Sequence, residues 1–452
     1  MSSVLARGNW ALLALLAALV LMSACAKHPG AGGPNILVIT ADDLGRHLGS
    51  YGDDTIPTPN IDAIAALGTL FTRAYATAPS CSSSRASFLT GLYPHQNGQL
   101  GLAQYGFTMT EPWPTIPGLL LKQRNYYAAL GGKLHVNPAS AFEFFETFEH
   151  DRDDHWTMDI EVVGEKAARY FEQARRRPFY IQFDLRDPHR PFVARRAGLP
   201  ANRLADHQVQ PFSWSAPGDA NLRADTAAYY NSVARLDAIV GRIMTELGKS
   251  GSLDNTVVVF WSDNGPPFER AKSTLYEQGV RVPLIIQGPG IKPGQVRDEL
   301  VSMVDIMPTL LNMTGTELPA SRQAYQGRDL GPLLRGEQVR WRDYVFTELT
   351  FHTPDKWWPA RAVSDGRWKL VRNLAAETPA RKIRLYDLES DPEERVNLAN
   401  RGSKKKQRQR LLDILAQWRA GTDDPLLDSA IYSRLEQIPL APGQAVAPWY
   451  RP

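Results

Sequence analysis

The sequence has little cysteine and little net charge, and each shortage excludes a class of protein. Only two of the 452 residues are cysteine, which excludes a small scaffold held together by disulfide bonds. The 51 lysines and arginines nearly balance 48 aspartates and glutamates, and a net charge of +3 gives no reason to expect a nucleic-acid partner. With 43% hydrophobic residues the chain is apolar enough, and long enough, for a large folded core.

A hydrophobic run near the N-terminus is typical of a targeting segment. Residues 11–22 are apolar but too few to span a bilayer comfortably, and Ser23-Ala24-Cys25 follows directly. Small residues before a cysteine resemble a bacterial lipobox. We therefore expect a signal peptide over residues 1–24, a lipidated Cys25, and a Gly- and Pro-rich tether over 25–33. This predicts an exported, periplasmic protein with a membrane lipid anchor, most consistent with the outer membrane; a plain secretory signal is the alternative.

Lipidation of Cys25 leaves Cys81 without a disulfide partner. Unpaired thiols are usually avoided in exported proteins. Cys81 is therefore either a buried, inert cysteine or a residue kept for its chemistry. Its neighbours, described below, favour the second interpretation.

Alternating strand and helix patterns predict a doubly wound α/β fold over residues 34–343. Short apolar runs predict strands at 35–40, 179–185, 256–262 and 282–287, and amphipathic periods predict helices at 159–175 and 226–247. For the second helix we expect Asp219 or Asp225 to cap the start and Gly248 to mark the end.

From about residue 344 to 452 the pattern changes to that of a smaller α+β unit. Two strands are predicted around the Asp365-Gly366 turn, a third at 384–388, and a helix after Lys404. That helix begins with a basic run, residues 404–410. We interpret the run as a solvated helix face, with a polyanion-binding patch as the alternative.

Oxygen-bearing side chains follow two of the predicted strands. Asp42 and Asp43 come after the first strand, and Asp263 and Asn264 come after the strand at 256–262. Ligands of doubly wound sheets bind beyond the carboxyl ends of the strands. Four oxygen donors without histidine suit a hard cation such as Ca²⁺ or Mg²⁺, whereas each pair alone is compatible with a turn or a helix cap.

The segment after Cys81 carries the most specific pattern in the chain. Cys81-Ser82-Ser83-Ser84-Arg85 is followed by Ala86-Ser87-x-Leu89-Thr90-Gly91, which resembles the signature of the sulfatase family. Further motifs follow the order found in that family: Ala41-Asp42-Asp43, Gly132-Lys133-x-His135, Asp187-Pro188-His189-Arg190-Pro191, Ser262-Asp263-Asn264-Gly265 and Lys272. The resemblance runs from residue 35 to about 425 and is strongest to the N-sulfoglucosamine sulfohydrolase (heparan sulfamidase) group.

Membership would imply an alkaline-phosphatase-like mixed sheet and the hydrolysis of sulfate from a sulfated saccharide. The resemblance implies that Cys81 is oxidised to formylglycine by a formylglycine-generating or anaerobic sulfatase-maturating enzyme, and that the reaction passes through a formylglycine-sulfate intermediate. It also implies one Ca²⁺ per chain, with ligands Asp42, Asp43, residue 81, Asp263 and Asn264.

Roles for the remaining site residues are implied in the same way. Arg85, Lys133 and Lys272 would neutralise charge on the sulfate oxygens, and His135 would orient and deprotonate the hydrated aldehyde. His189 would protonate the leaving oxygen or nitrogen. The candidate substrate-binding residues are His95, Asp187, His352 and Arg361. For His95 a structural role that braces the loop is favoured over substrate contact, whereas for His352 and Arg361 the two roles are equally compatible with the sequence.

Two positions depart from the family pattern, and two other functions stay open. Ser83 stands where proline is usual, and this departure bears on recognition by the maturation enzyme. Lys272 stands where the sulfamidases have arginine, so an O-sulfate ester remains beside a sulfamate as the substrate. The first alternative is a phosphoester hydrolase of the same superfamily. The second is a non-catalytic sugar-binding lipoprotein in which Cys81 is never converted.

Overall fold

The computed structural model describes most of the chain between residues 33 and 436. The described ranges are 33–144, 146–148, 159–193, 195–215, 221–321, 323–353, 357–375, 378 and 382–436. The predicted signal peptide, the lipidation site Cys25 and all but the last residue of the predicted tether lie outside them. Among the described residues, no helix is long and apolar enough to cross a membrane.

The predicted apolar strands form the centre of a mixed sheet. In chain order the N-terminal part contains β1 (Asn35–Ala41), β2 (Gly68–Phe71), β3 (Ala74–Tyr75), β4 (Tyr127–Gly132), β5 (Glu146–Phe148), β6 (Phe179–Asp184), β7 (Thr256–Ser262), β8 (Arg281–Val282), β9 (Leu284–Gln287), β10 (Gln295–Arg297) and β11 (Val301–Ser302). Eight of them form one sheet in the order β10-β2-β9-β7-β1-β6-β4-β5. Strand β1 runs parallel to β6 and β7, whereas β9 runs antiparallel to β2 and β7.

The strand predicted at residues 282–287 is divided at Pro283. Proline has no backbone N–H to donate to a ladder, so regular pairing is interrupted there. The first part becomes β8 of a small sheet with the order β11-β3-β8, and the second part becomes β9 of the large sheet.

Helices cover both faces of the large sheet, as the predicted doubly wound fold requires. They are α1 (Pro59–Ala66), α2 (Cys81–Thr90), α3 (Pro94–Asn97), α4 (Ile116–Arg124), α5 (Ile160–Gln173), α6 (Leu222–Lys249), α7 (Glu277–Val280), α8 (Ile306–Thr314) and α9 (Gly331–Leu334). Alternate residues of β1 point to opposite faces. Leu37 packs in the core that includes α5 and α6, whereas Val38 packs in the core that includes α2, α4 and α8.

The ends predicted for the helix at 226–247 are wrong. Helix α6 begins four residues earlier, with Asn221 at its N-cap, and Asp225 lies inside its first turn. Gly248 is helical, and the left-handed residue after the helix is Gly251, with φ of 74°. A glycine marks a helix end when it takes the left-handed conformation, which Gly248 does not.

The C-terminal part is an antiparallel sheet with two helices, as expected for a smaller α+β unit. Its elements are β12 (Val345–Phe351), β13 (Trp357–Ser364), β14 (Trp368–Asn373), β15 (Ile383–Asp387), α10 (Lys405–Gly421) and α11 (Ser429–Glu436), with the strands in sequence order across the sheet. The predicted turn at Asp365-Gly366 joins β13 to β14. Strand β12 lies against the N-terminal part, where the Glu348 amide donates to the Thr77 carbonyl and the Phe351 amide to that of Leu100.

Candidate active site

The two predicted oxygen-rich pairs meet at one edge of the large sheet. Strands β1 and β7 are parallel neighbours with Ala41 opposite Ser262, so the residues that follow each strand lie side by side. The Asp43 amide donates to Asp263 Oδ1 over 3.0 Å, and Asn264 Nδ2 donates to Asp43 Oδ1 over 2.8 Å. All four side chains are buried. The neighbouring strand ends thus bring together residues that are more than 200 positions apart.

Asp43 and His135 share an unusual backbone conformation. Their φ angles are 67° and 55°, in the left-handed region that non-glycine residues rarely adopt. Such conformations cost about 1–3 kcal/mol and persist where the surrounding structure imposes them. Both residues line the same cavity, so the surrounding structure imposes this conformation on two of its lining residues.

Cys81 is the first residue of α2 and lies directly against the carboxylates. Its Sγ is 3.5 Å from Asp42 Oδ1 and 3.8 Å from Asp43 Oδ1, and the residue is 1% exposed. Burial raises the pKa of the Cys81 thiol, and the attraction of Lys133 does not offset it. A thiolate nucleophile needs a lowered pKa. The unmodified cysteine is therefore poorly suited to act as a nucleophile here.

Arg85, one turn further along α2, links several strand ends. Its Nε donates to Asp263 Oδ2 over 2.8 Å, and its Nη1 donates to the Lys133 carbonyl over 2.8 Å. Nη1 is also 3.3 Å from a carboxylate oxygen of Asp184, the last residue of β6. Its Nη2 is buried, has no hydrogen-bond partner and lies 3.9 Å from Asp42 Oδ1. Arg85 thus balances buried negative charge and keeps one donor unused.

Two lysines bring positive charge to the carboxylates from the cavity side. Lys133 Nζ is 2.5 Å from Asp42 Oδ2, and Lys272 Nζ is 2.8 Å from Asp43 Oδ2. Burial alone would raise the pKa of Asp42 and Asp43, but the nearby cations, chiefly Lys133 and Lys272, hold both below the usual value. Both carboxylates are therefore ionised at neutral pH.

Asp263 differs from these two carboxylates. Burial, together with the negative charge of Asp42, raises the pKa of Asp263 to about 7, against the opposing effect of Arg85. The surrounding cations therefore favour the ionised form of Asp263 less than those of Asp42 and Asp43. A further positive charge beside Asp263 would favour its ionised form.

The arrangement fits a hard divalent cation. Ligand atoms of Asp42, Asp43, Cys81 and His189 all lie within 4.8 Å of one another. Asn264 Oδ1 is buried and has no hydrogen-bond partner among the described residues, although its amide nitrogen is fully engaged. A buried acceptor without a donor is costly, and a cation beside it would satisfy it. The donor set of carboxylate and amide oxygens is the one that Ca²⁺ and Mg²⁺ prefer.

The two predicted catalytic histidines lie on the cavity wall. His135 Nε2 hydrogen-bonds to Gln104 Oε1, whereas its Nδ1 is buried and finds no hydrogen-bond partner in the described part of the chain. His189 Nε2 is 3.7 Å from Asp43 Oδ2, and its Nδ1 contacts the carbonyl oxygen of Arg190. Burial lowers the pKa of both imidazoles, with a further contribution from Lys133 at His135 and partial opposition from Asp43 at His189.

These side chains surround a cavity of about 600 Å³. Of the predicted residues, the cavity is lined by Asp42, Asp43, Cys81, Lys133, His135, His189, Lys272 and His352. The volume is in the range of small-molecule sites. His352 comes from the C-terminal part, directly after β12, and its Nδ1 is 3.1 Å from Ser80 Oγ. The C-terminal part therefore contributes to the wall of the cavity.

Three of the four predicted substrate-binding residues do not line the cavity. Asp187 accepts two hydrogen bonds from Arg235, and both side chains are buried. His95 is hydrogen-bonded to Glu348. Arg361, which is fully buried, donates to both oxygens of Asp424. Asp187 is thus tied to α6, His95 to the C-terminal part, and Arg361 to another residue of the C-terminal part. The geometry gives no support to substrate contact by these three residues.

Sequence reasoning missed several residues of the site. The cavity is also lined by Gln104, Tyr105, Arg186, Arg190 and Pro267, and Asp184 lies behind Arg85. Arg186 and Arg190 belong to the polar stretch that follows β6, so their position after a strand was an available signal. Gln104 and Tyr105 lie in a short 3₁₀ turn far from any predicted strand end, and no sequence pattern marked them.

Comparisons with known proteins agree with this arrangement. The sulfatase family model matches residues 34–316, and the model described as N-sulphoglucosamine sulphohydrolase, C-terminal, matches residues 269–421. The fold and the site define a sulfuric ester hydrolase, and the chain belongs to the sulfatase family. The family is generally dependent on a metal ion and on formylglycine.

Within that family, the chain is 30% identical to human N-sulphoglucosamine sulphohydrolase, over 91% of this chain and 94% of the relative. It is 26% identical to an ulvan-active sulfatase of Formosa agariphila, over 88% and 82% of the two chains.

Solved structures show the same fold. A sulfatase-like structure from Bacteroides thetaiotaomicron superposes with a TM-score of 0.72 at 25% identity, covering 88% of this chain and 96% of that one. A protein solved with its substrate D-glucosamine-2-N,6-O-disulfate gives 0.72 at 21% identity, with coverage of 87% and 98%. A phosphonate monoester hydrolase from Silicibacter pomeroyi gives 0.69 at 23% identity, with coverage of 86% and 96%. The alkaline-phosphatase-like fold expected from the sequence is confirmed.

Proposed function

We propose that this chain removes sulfate from a sulfated sugar, either as an N-sulfoglucosamine-type sulfamate or as an O-sulfate ester, with a formylglycine made from Cys81 and a bound Ca²⁺. The observation that carries the proposal is the position of Cys81. Its Sγ lies within 4 Å of two ionised carboxylates, at a cavity that two lysines also line. The lysines offer positive charge for a sulfate group, and the carboxylates offer ligands for a cation.

The proposed Ca²⁺ ligands are Asp42, Asp43, Asp263 and Asn264, together with residue 81. The Oδ1 of Asn264, which has no hydrogen-bond partner among the described residues, and the three buried carboxylates beside it support this choice. A hard cation at this point would acidify an oxygen nucleophile and hold it in place.

The surroundings of Cys81 support its conversion to formylglycine. A buried thiol with a raised pKa is a poor nucleophile, and the neighbouring carboxylates do not favour a thiolate. An aldehyde at position 81, once hydrated, would supply an oxygen nucleophile and a second hydroxyl through which sulfate can be released. The position of residue 81 at the first turn of α2 also exposes it to the favourable field of a helix N-terminus.

In the proposed reaction the lysines neutralise the sulfate group and the histidines transfer protons. Lys133 and Lys272, each 12% exposed, extend from the wall to the carboxylates and lie where sulfate oxygens would approach. His135 keeps an unpartnered buried Nδ1, which can accept a proton from the nucleophile. His189 carries its Nε2 on the cavity side and can pass a proton to the leaving oxygen or nitrogen.

A sugar substrate is supported by the cavity and by the relatives. The wall combines charged groups with Tyr105 and with Arg186 and Arg190, which suit an anionic polar ring. The human relative is named for N-sulphoglucosamine, and a protein of the same fold was solved with a glucosamine disulfate.

The test begins with conversion. The protein is produced together with a formylglycine-generating or anaerobic sulfatase-maturating enzyme, and the peptide containing Cys81 is examined by mass spectrometry. We expect replacement of the thiol sulfur by an aldehyde oxygen. Free thiol throughout, with no sulfate released from any substrate, contradicts the proposed chemistry and favours a sugar-binding protein.

Substrate choice is then tested by timing sulfate release from N-sulfated glucosamine, 6-O-sulfated glucosamine and an aryl sulfate, with the Cys81→Ala variant as the blank. We expect release from one of the sugars. Reaction with the aryl sulfate alone would contradict the assignment of a sulfated sugar as the substrate. A phosphonate monoester belongs in the same panel because a phosphonate monoester hydrolase shares the fold, and preference for it would favour the phosphoester alternative.

Export and anchoring through Cys25 are also part of the proposal. They rest on the apolar run and the small residues before Cys25, all of which lie outside the described residues. In a bacterial host the protein is expected in the membrane fraction, and Cys25→Ser is expected to release it. An unchanged distribution of the variant would argue for a different mode of attachment.

A further inference from the structure

A second concave surface lies at the start of β12, apart from the cavity around Cys81. It is a groove of about 390 Å³, lined by Arg328, Arg340, Trp341, Arg342, Tyr344 and Phe346. His352, on the wall of the first cavity, follows the other end of β12. His352 lies eight positions after Tyr344 in the sequence, which corresponds to about 25 Å along an extended strand. The groove is therefore not part of the site described above.

Two arginines of this groove have their charge available to a ligand. Arg342 is paired with the buried carboxylate of Asp305. Arg328 and Arg340 are exposed, and neither forms an ion pair with another described residue. One exposed carboxylate, that of Asp343, also lines the groove. The balance is positive, and guanidinium groups bind sulfate and carboxylate oxygens in two-pronged pairs.

Trp341 places an aromatic ring among these charges. Its Nε1 donates to the Leu300 carbonyl over 2.8 Å, which fixes the orientation of the ring. The guanidinium of Arg328 lies 5.9 Å from the ring centroid and that of Arg342 lies 5.6 Å from it. A fixed ring beside Arg328 offers an apolar contact and an anion contact in one place.

The basic run at the start of α10 borders this groove. Arg410 donates from Nη1 to Tyr344 Oη over 2.7 Å and pairs with Asp365 in the β13–β14 turn. Lys404 lies over the ring of Trp368, with its Nζ 4.8 Å from the centroid. Between them Lys405 and Lys406 are exposed. The basic run at residues 404–410, which the sequence predicts to be a solvated helix face, therefore extends the basic and aromatic surface of the groove.

We infer that this basic face, formed by Arg328, Arg340, Trp341, Tyr344, Lys405 and Lys406, binds a sulfated polysaccharide chain outside the catalytic cavity. Its charge supplies the attraction, and its aromatic rings supply contacts to sugar rings. The choice of a sulfated glycan over another polyanion rests on the proposed function. The face would hold a polymer near the enzyme while a terminal sugar occupies the cavity.

The test measures heparin binding by the full-length protein at about 50 and 150 mM salt, because binding to a polyanion weakens steeply with salt. The Cys81→Ala variant is expected to bind like wild type, since the cavity is separate. The double variant Arg328→Gln/Arg340→Gln is expected to bind about tenfold more weakly at the higher salt and to show a smaller salt slope. Lys405→Gln/Lys406→Gln is expected to weaken binding in the same direction.

The matched control is Arg175→Gln/Arg176→Gln, which removes two exposed arginines after α5. Equal weakening in that control, or no heparin binding by wild type at the higher salt, overturns the inference. Duplex DNA bound as tightly as heparin overturns the assignment to a glycan. Sulfate release from small sugars is measured in the two double variants of the basic face and in the arginine control, and it is expected to be unchanged in all three. If the wild-type protein hydrolyses none of the small sugars, the proposed function is refuted, whereas the heparin-binding result remains valid.

Discussion

Individual side chains around Cys81 divide into those that hold negative charge in place and those that leave a bonding position open. Arg85 and the two lysines compensate Asp42, Asp43 and Asp263, although burial opposes ionisation of all three carboxylates. The open positions are Asn264 Oδ1, Arg85 Nη2 and His135 Nδ1, each of them buried and without a hydrogen-bond partner in the ranges that the structure describes. Such positions are expensive unless a ligand or ion completes them.

Lys272 provides the first prediction. Its replacement by alanine is expected to lower kcat by about 10²–10³, because one preorganised cation at the sulfate is lost. Lys272→Arg, the residue that the sulfamidases carry, is expected to retain most of the rate and to shift preference toward a sulfamate. Steady-state kinetics on N- and O-sulfated glucosamine measure both effects. A Lys272→Ala enzyme with wild-type kcat would show that Lys272 only compensates the charge of Asp43 and does not act on the sulfate group.

Asn264 provides the second prediction, which concerns removal of the metal. Calcium at 1,000 times its dissociation constant is expected to stabilise the wild-type protein by about 4 kcal/mol, and chelation is expected to remove that gain. In Asn264→Ala, which lacks the unpartnered oxygen, the calcium-dependent shift in Tm is expected to be smaller. Asn312→Ala, at an exposed position outside the site, is the control and keeps the full shift. Equal shifts in both variants would argue against Asn264 as a ligand.

Among the elements, α2 has the largest effect on the site because it carries both Cys81 and Arg85. All ten of its residues are buried, so its position is set by packing on every side. It ends at Gly91, whose φ of 68° ends the helix in the left-handed conformation. A Cβ at this position would lie 2.8 Å from Met307 Sδ of α8. The glycine is therefore required both by its dihedral angle and by the space available.

A pair of glycine substitutions tests this requirement. Gly91→Ala is expected to lower the Tm, by a loss of about 1–2 kcal/mol from the left-handed conformation and more from the contact with Met307. Gly248→Ala, inside α6 with nothing within 4 Å of the new Cβ, is expected to be neutral or to gain up to about 1 kcal/mol. Thermal unfolding of the two variants beside wild type measures the difference. Equal midpoints would contradict the role assigned to Gly91.

The whole molecule is held together by buried charges between its two parts. Lys369 of β14 is 3.0 Å from Glu277 of α7 and 3.2 Å from Glu394, and the hydroxyl of Tyr75 donates to Glu277 over 3.0 Å. A second group joins Glu348 and Arg361 of the C-terminal sheet to His95 of α3. Removing one member of such a group leaves an uncompensated buried charge, which is strongly destabilising.

Glu394 gives this interface a pH dependence. Burial, outweighing the attraction of Lys369, raises the pKa of Glu394 to about 7. A raised folded-state pKa means that the stabilising contribution is complete below the pKa of the unfolded chain, near 4.5, and is lost as the pH rises through 7. Relative to Glu394→Gln, wild type is expected to lose up to about 3 kcal/mol between pH 5 and pH 8. Denaturant unfolding of both proteins across this range measures the difference, and parallel pH profiles would refute it.

Much of the fold was predictable because strand signals and site signals are local. The strand at 256–262 was predicted with the bounds that β7 has, and the mixed doubly wound sheet is confirmed. Asp42, Asp43, Asp263 and Asn264 were predictable as a group because polar residues after buried parallel strands converge at one edge. The ends of α6 were mispredicted because the conformation of a glycine depends on the contacts that surround it.

The sequence by itself determined the family, the α/β class and the residues that follow each strand, since these depend on motifs and on alternation along the chain. The tertiary structure decided which of them reach the cavity. His352 lines the cavity. His95, Asp187 and Arg361 instead form hydrogen bonds with Glu348, Arg235 and Asp424, respectively. Partners of this kind lie tens to hundreds of residues away in the sequence. A buried charged side chain pairs with the opposite charge nearest to it in space, and a sequence pattern does not specify which residue that is.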